Sequence, residues 1–178
     1  MTERPPSGSP PILHEKVFTP DDRLAIASPN GASPAGAPLL DRSLRDVIVD
    51  CQVRLIRGHP KTTFGMYLRQ SRPDRYLLWT LTPERRFRVG AVDGSYKPAA
   101  DGPLAASVPL DTTGPVRLRT VAIGPSLTIL VGDQIITGVT VDLSYAQGIT
   151  GVWLQAGSGE GAELAVDWVQ IRAVFPAD

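Results

Sequence analysis

The chain has 178 residues, with 18 Lys+Arg balanced by 18 Asp+Glu, 42% hydrophobic and 20% charged residues, and 17 each of Gly and Pro. That length buries one core with room for a tail, the hydrophobic share excludes a disordered chain, and the Gly and Pro leave little sequence for long helices. Zero net charge argues against a dedicated nucleic-acid binder, and no apolar run approaches the roughly 20 residues of a membrane span.

Residues 1–11 hold four prolines with Ser and Gly and read as a disordered tail, ahead of a single domain over 12–178. MTERPPSGSPP contains no apolar segment of a secretory signal, so we expect the cytoplasm unless the chain is cut from a longer exported one. Ile12 and Leu13, with Val17 and Phe18, predict a first strand, and SPNGASPAGAP from Ser28 to Pro38 predicts a long loop. Val47, Val49, Cys51, Val53 and Leu55 alternate with Asp50, Gln52 and Arg54, so one face of this strand meets the core and the other water. Cys51, the one cysteine, permits no intrachain disulfide and lies on the apolar face.

After Gly58-His59-Pro60, the residues Phe64, Met66 and Leu68 form the next core face, with Gly65, Tyr67 and Arg69 opposite. A polar turn from Ser71 to Asp74 leads into Tyr76–Leu81, apolar on both faces and hence central. Phe87, Val89 and Ala91 make a strand ended by Asp93-Gly94. The segment from Gly94 to Gly114 is turn-rich, with a brief pairing at Val108 and Leu110. Val116–Ile123 alternates again; Leu127, Ile129 and Val131 enter a type II′ hairpin at Gly132-Asp133 and Gln134-Ile135-Ile136 leave it. Residues 149–156 form another strand, and the last one changes phase after Trp168, the signature of a β-bulge.

About ten to twelve short strands without helical periodicity predict an all-β fold, an antiparallel two-sheet jelly-roll sandwich with little or no helix. The runs DVIVDCQVRLIRG, FGMYLRQ, RYLLWTL, VRLRTVAIGPSLTILVGDQ, GITGVWLQA and VDWVQI resemble concanavalin A-like, laminin-G-like jelly rolls. The nearest resemblance is to modules of bacterial lipoproteins and of bacterial serine/threonine kinase ectodomains, over residues 46–174. Gly132-Asp133, Val116 and Trp168-Val169 depart from the family's pattern. The resemblance implies the sandwich fold and a superfamily of lectins, glycan-binding modules and sugar hydrolases.

Glycosidases of this fold type carry a Glu-x-Asp-x-Glu strand that sets two carboxylates on one face, and the chain has none. Glu163 and Asp167 would stand roughly 13 Å apart on an unbroken strand. His14 and His59 show no ligand spacing, and no Gly-x-Ser-x-Gly elbow exists. We therefore expect no catalytic residues, no enzyme activity and no cofactor. Calcium is the ion the resemblance admits, at Asp93-Gly94-Ser95 or Asp101-Gly102, although one carboxylate per turn falls short of its six to eight oxygens.

Charge is uneven along the chain. Residues 42–97 hold 12 basic and 5 acidic groups, whereas 98–178 hold 3 basic and 8 acidic. The plain reading is two sheets that neutralise each other's charge across strands; the alternative is an anionic ligand near Arg69, Arg72, Arg75, Arg85, Arg86 and Arg88. Taking even positions of 64–68 and 76–80 as core-facing, Tyr67, Arg69 and Trp79 share the opposite face, with Trp153 and Gln155 placed likewise on theirs. Flat rings beside Arg and Gln suit sugars. The expectation is a non-catalytic module binding a glycan through Tyr67, Arg69, Trp79, Trp153 and Gln155. The alternatives are a protein-interaction or self-association domain and, behind it, a sugar hydrolase.

Overall fold

A computed structural model describes residues 12–13, 24–29 and 33–174, so His14, Val17 and Phe18 lie outside the described residues. The strands are β1 (Ile12–Leu13), β2 (Leu24–Ser28), β3 (Ala35–Pro38), β4 (Asp46–Arg57), β5 (Thr63–Arg72), β6 (Arg75–Leu81) and β7 (Arg86–Asp93). They continue as β8 (Ser95–Pro103), β9 (Val116–Ile123), β10 (Ser126–Val131), β11 (Gln134–Thr140), β12 (Ile149–Gln155) and β13 (Ala162–Val174). One 3₁₀ turn, Leu143–Tyr145, is the helical element among the described residues. Its first N–H groups are met by Asp142, whose carboxylate accepts from the Ser144 N–H at 2.8 Å.

The strands make two antiparallel sheets packed face to face. In the first, β13, β4, β9, β10 and β11 follow in order, and β1 and β2 share the outer side of β13. The second runs β3-β12-β5-β6-β7-β8. The period-two pattern of β4 does what it predicts: Val47, Val49, Cys51 and Val53 are fully buried. Across the sandwich they meet Phe64, Met66, Leu68, Leu77, Trp79, Leu81, Val152 and Leu154, and the facing rows form one continuous core. Burial drives the Cys51 thiol pKa far up, so no thiolate forms there.

Three segments differ from the sequence reading. The stretch expected as one loop from Ser28 to Pro38 ends in a short edge strand, since Ala35–Pro38 pairs with β12 from Gly151↔Pro38 to Leu154↔Ala35. The turn-rich segment after Gly94 contains the nine-residue β8, which pairs with β7 along its length. Pro98 and Pro103 hid it, yet an edge strand tolerates proline because one row of its N–H groups needs no partner. Val108 and Leu110 are buried, but in a loop with short local bonds and not in a strand. That loop closes on Arg85, whose guanidinium donates to the carbonyls of Ala105, Ala106, Val108 and Leu110 at 2.8–3.3 Å.

The expected bulge in β13 is present, with the register against β4 slipping between Val166 and Trp168. So is the hairpin turn: Gly132 lies at φ +59°, and its N–H donates to the Arg117 carbonyl at 2.8 Å. A side chain here meets two obstacles, the left-handed backbone and the Pro109 ring, 2.7 Å from where a Cβ would sit. Gly132→Val should therefore cost about 1–3 kcal/mol in urea unfolding, with the far-ultraviolet spectrum of a β-sandwich retained.

Candidate functional site

The hairpin between β5 and β6 decides which side chains of the second sheet reach solvent. Met66 pairs with Trp79, Tyr67 with Leu78 and Leu68 with Leu77. Even positions of β5 thus share a face with odd positions of β6. Leu77, Trp79 and Leu81 point into the core, while Tyr76, Leu78 and Thr80 face outward with Tyr67. Trp79, expected on the ligand face, has no exposed surface. Its indole N–H instead crosses the sandwich to donate to Thr120 Oγ1 at 2.8 Å, and the Thr120 hydroxyl reaches Met66 Sδ at 3.4 Å.

Arg69 is the second displaced residue. The β5–β6 register slips after Leu68, and Arg69 adopts φ +53°. That turn of the backbone sends its side chain inward, 1% exposed, where it donates to the carbonyls of Arg45, Gly124 and Tyr145 at 2.8–3.2 Å. Asp46 balances its charge at 3.4 Å. Arg69 ties three loops together and is closed to a ligand.

Tyr67, Trp153 and Gln155 do stand on the outer face, and Tyr76 joins them. The Tyr76 ring packs against Trp153 with centroids 5.7 Å apart, and Tyr67 meets Tyr76 edge-on at 6.2 Å. Glycines give these rings their floor. A Cβ at Gly151 would strike the Tyr67 ring and the Ala37 carbonyl, and one at Gly90 would fall 2.8 Å from the Tyr96 ring. Tyr67 is nearly covered, and burial lifts its hydroxyl pKa to about 12, so it remains a neutral donor. Trp153 and Gln155 are half-buried, and Tyr96 is 36% exposed.

Around these rings lie three adjoining hollows. The central one, about 270 Å³, has Tyr76, Trp153 and Tyr96 as its aromatic walls and Thr63, Thr80, Arg88 and Gln155 as polar groups. A second, about 280 Å³, lies beyond the Tyr76–Trp153 pair toward Pro34, Gly36, Tyr67 and Gln70. The third, about 300 Å³, continues past Thr63, Thr80 and Arg88 to Lys61, Thr82, Glu84 and Arg86. Apolar ring surface beside convergent hydroxyl, amide and guanidinium groups is the chemistry of a site for a polar, C–H-bearing ligand.

The first sheet's outer face has another polar cluster, but its groups satisfy one another. Asp50, expected to face water, is 2% exposed beneath Arg117 and Arg119, which donate to it at 2.6–3.0 Å. Both arginines also approach Asp133. Beside them Arg54 and Gln52 donate to Asp167, and the Trp168 indole donates to Gln52 Oε1 at 3.1 Å. Burial raises the Asp50 pKa, yet the hydrogen bonds and charges of Arg117 and Arg119 outweigh that and hold it below its ordinary value.

Among the described residues, no group of three or more His, Cys, Asp or Glu is placed to hold a metal ion. Asp93, Gly94 and Ser95 form the β7–β8 turn, with Asp93 facing Arg72 at 3.6 Å. Asp101 stands opposite Arg88 in the β7–β8 ladder. His59 serves its own turn, its Nδ1 accepting from the Lys61 N–H at 3.2 Å. No helix among the described residues is long and apolar enough to cross a membrane.

No protein-family model matches the sequence, and no curated protein matches it. Solved structures do share the fold. The carbohydrate binding module CBM66 from Bacillus subtilis superposes with a TM-score of 0.70 at 12% identity, over 92% of this chain and 94% of that one. The galectin LEC-6 of Caenorhabditis elegans gives 0.53 at 14% identity, over 83% and 94%. The laminarinase catalytic domain of Thermotoga maritima gives 0.61 at 9% identity, over 90% and 81%. At such identities the likeness establishes a two-sheet, all-β jelly-roll sandwich of the kind found in carbohydrate-binding modules and galectins. It does not single out the lipoprotein and kinase modules.

Two outcomes follow from this placement of side chains. Trp79→Phe removes the cross-sheet hydrogen bond and leaves space beside Thr120, so stability in urea should fall by about 2–4 kcal/mol. Asp50→Asn should cost about 1–3 kcal/mol at neutral pH. Because the folded-state pKa of Asp50 lies below its ordinary 3.8, its contribution is complete above that value. It disappears as pH falls through the lower folded value, so the wild-type and Asp50→Asn unfolding midpoints should converge in strong acid.

Proposed function

We propose that this chain is a non-catalytic glycan-binding module that takes its ligand on the outer face of the second sheet. The half-buried Trp153, packed at a tilt against Tyr76 between two hollows, carries the reading. A sugar ring lays its C–H face on such a surface, while Thr63, Thr80, Gln155 and Arg88 meet its hydroxyls. The carbohydrate binding module of the same fold supports this role. The resemblance to modules of bacterial lipoproteins and kinase ectodomains bears on the fold, since the runs that carry it build the two sheets.

The hydrolase reading draws on the laminarinase domain of the same fold. Against it, glycoside cleavage takes two carboxylates astride the scissile bond, and Glu84 is the one carboxylate in the linings of the three hollows. The interaction-domain reading has its own observation. The edge strand β11 bears no charged residue, and Ile135 on it is 68% exposed, with Ile123 of β9 at 42%.

Binding should be weak, with Kd in the range of about 10 μM to 1 mM. Trp153→Ala should abolish retention of the protein in polysaccharide gels and remove the calorimetric binding signal while changing the Tm little. A Trp153→Ala protein that binds like wild type sinks this site. Loss of the β-sandwich in Trp153→Ala would make Trp153 part of the scaffold and favour self-association, which sedimentation would then show.

A further inference from the structure

Six arginines crowd residues 69–88, and the fold consumes four of them. Arg69 holds the carbonyls of three loops, and Arg85 holds those of the loop after β8. Arg72 faces Asp74 and Asp93, and Arg75 lies over the Tyr145 ring, 5.0 Å from its centroid. Arg86 and Arg88 remain. They are two apart on β7, so both point outward, roughly 7 Å from each other along the strand. Both are exposed, and neither has an ion-pair partner within 4 Å among the described residues.

These two arginines, with Lys61 and the Thr63, Thr80 and Thr82 hydroxyls, line the third hollow, where Glu84 is the one acidic residue. Asp101, the cross-strand neighbour of Arg88, lies outside that lining. Thr63, Thr80 and Arg88 belong to the central hollow as well, so the cationic and aromatic spaces are continuous.

We infer that the glycan taken by this face is acidic, with a sugar carboxylate on Arg86, Arg88 and Lys61 while a neighbouring ring of the same chain stacks on Trp153. This rests on the reading of the face as a glycan site and names the ligand class. A guanidinium fork matches a carboxylate in geometry, and two forks at strand spacing with a lysine beside them supply charge that a neutral sugar would leave unused.

The test is calorimetry of the full chain with polygalacturonate, its fully methyl-esterified form, agarose and the sulfated galactan carrageenan. Polygalacturonate should bind about tenfold or more tightly than its ester, and added salt should shrink the difference. The double variant Lys61→Gln/Arg86→Gln, which spares the residues of the central hollow, should lose most of that advantage and keep wild-type affinity for the ester and wild-type Tm. Glu84→Gln should bind the acid two- to threefold more tightly, on the order expected for removing one exposed like charge. Equal binding of acid and ester, with Trp153→Ala still abolishing both, overturns the acidic ligand and leaves the glycan site standing. Undiminished binding of polygalacturonate by Trp153→Ala also overturns it, as attachment by charge alone. Preference for carrageenan over both agarose and polygalacturonate replaces the carboxylate with a sulfate. Failure of every polymer to bind removes the inference together with the glycan site.

Discussion

Trp79 stands between the two sheets and ties them. It lies in the middle of β6, pairs with Met66 in its own sheet, and reaches Thr120 of the opposite sheet with its indole N–H. An indole nitrogen buried without an acceptor would cost a few kcal/mol, so this hydrogen bond and the Met66 pairing hold each other in register. Side chains along a strand alternate, so once Trp79 is inward, Tyr76, Leu78 and Thr80 must be outward. The Tyr76 half of the ring pair that walls the candidate site follows from that one placement.

Arginine is used in this protein in three different ways. At Arg69 and Arg85 the backbone enters the left-handed region, and the side chain gathers carbonyl groups that loops leave without strand partners. At Arg117 and Arg119 it encloses a buried carboxylate of the neighbouring strand. Asp50 comes from the basic half of the sequence and these two arginines from the acidic half. That pairing runs against the imbalance and leaves the surplus of each half unmatched, whereas Arg54 on Asp167 joins the halves in the neutralising sense. Only Arg86 and Arg88 of the dense run are left over on the face where the rings lie.

Glycines shape that face as much as aromatics do. Gly151 and Gly90 let the Tyr67 and Tyr96 rings lie down against the sheet, which leaves Trp153 and Tyr76 standing as walls. A β-sandwich offers two outer faces, and here they differ in kind. On the first sheet Asp50, Asp167, Gln52 and Trp168 are engaged with neighbours. On the second, the polar groups converge on open space.

The all-β class, the strands β4, β7, β9, β10 and β12, the II′ turn at Gly132 and the bulge of β13 were legible in the order of residues alone. Each of these is written in local alternation or in a turn residue, and a period of two needs no knowledge of neighbours. The same order also placed Trp153 and Gln155 outward, because Val152 and Leu154 leave them no other side. It could not place β6, whose residues are apolar on both faces and carry no alternation to read. One signal was there: an even number of loop residues between two hairpin strands pairs even positions with odd ones, and the turn Ser71–Asp74 has that parity. Read so, Trp79 falls beside Met66 in the core and Tyr76 takes its place on the outer face of the sheet. Arg69 was beyond any such count, since the slip after Leu68 and its positive φ arise where β5 meets loops distant in sequence. The edge strands β3 and β8 were hidden by Pro and Gly, and became strands only because β12 and β7 offered a free edge to pair with. Which polar residues a ligand can reach was likewise decided in three dimensions, because the carbonyls and carboxylates that occupy most of the arginines come from far along the chain.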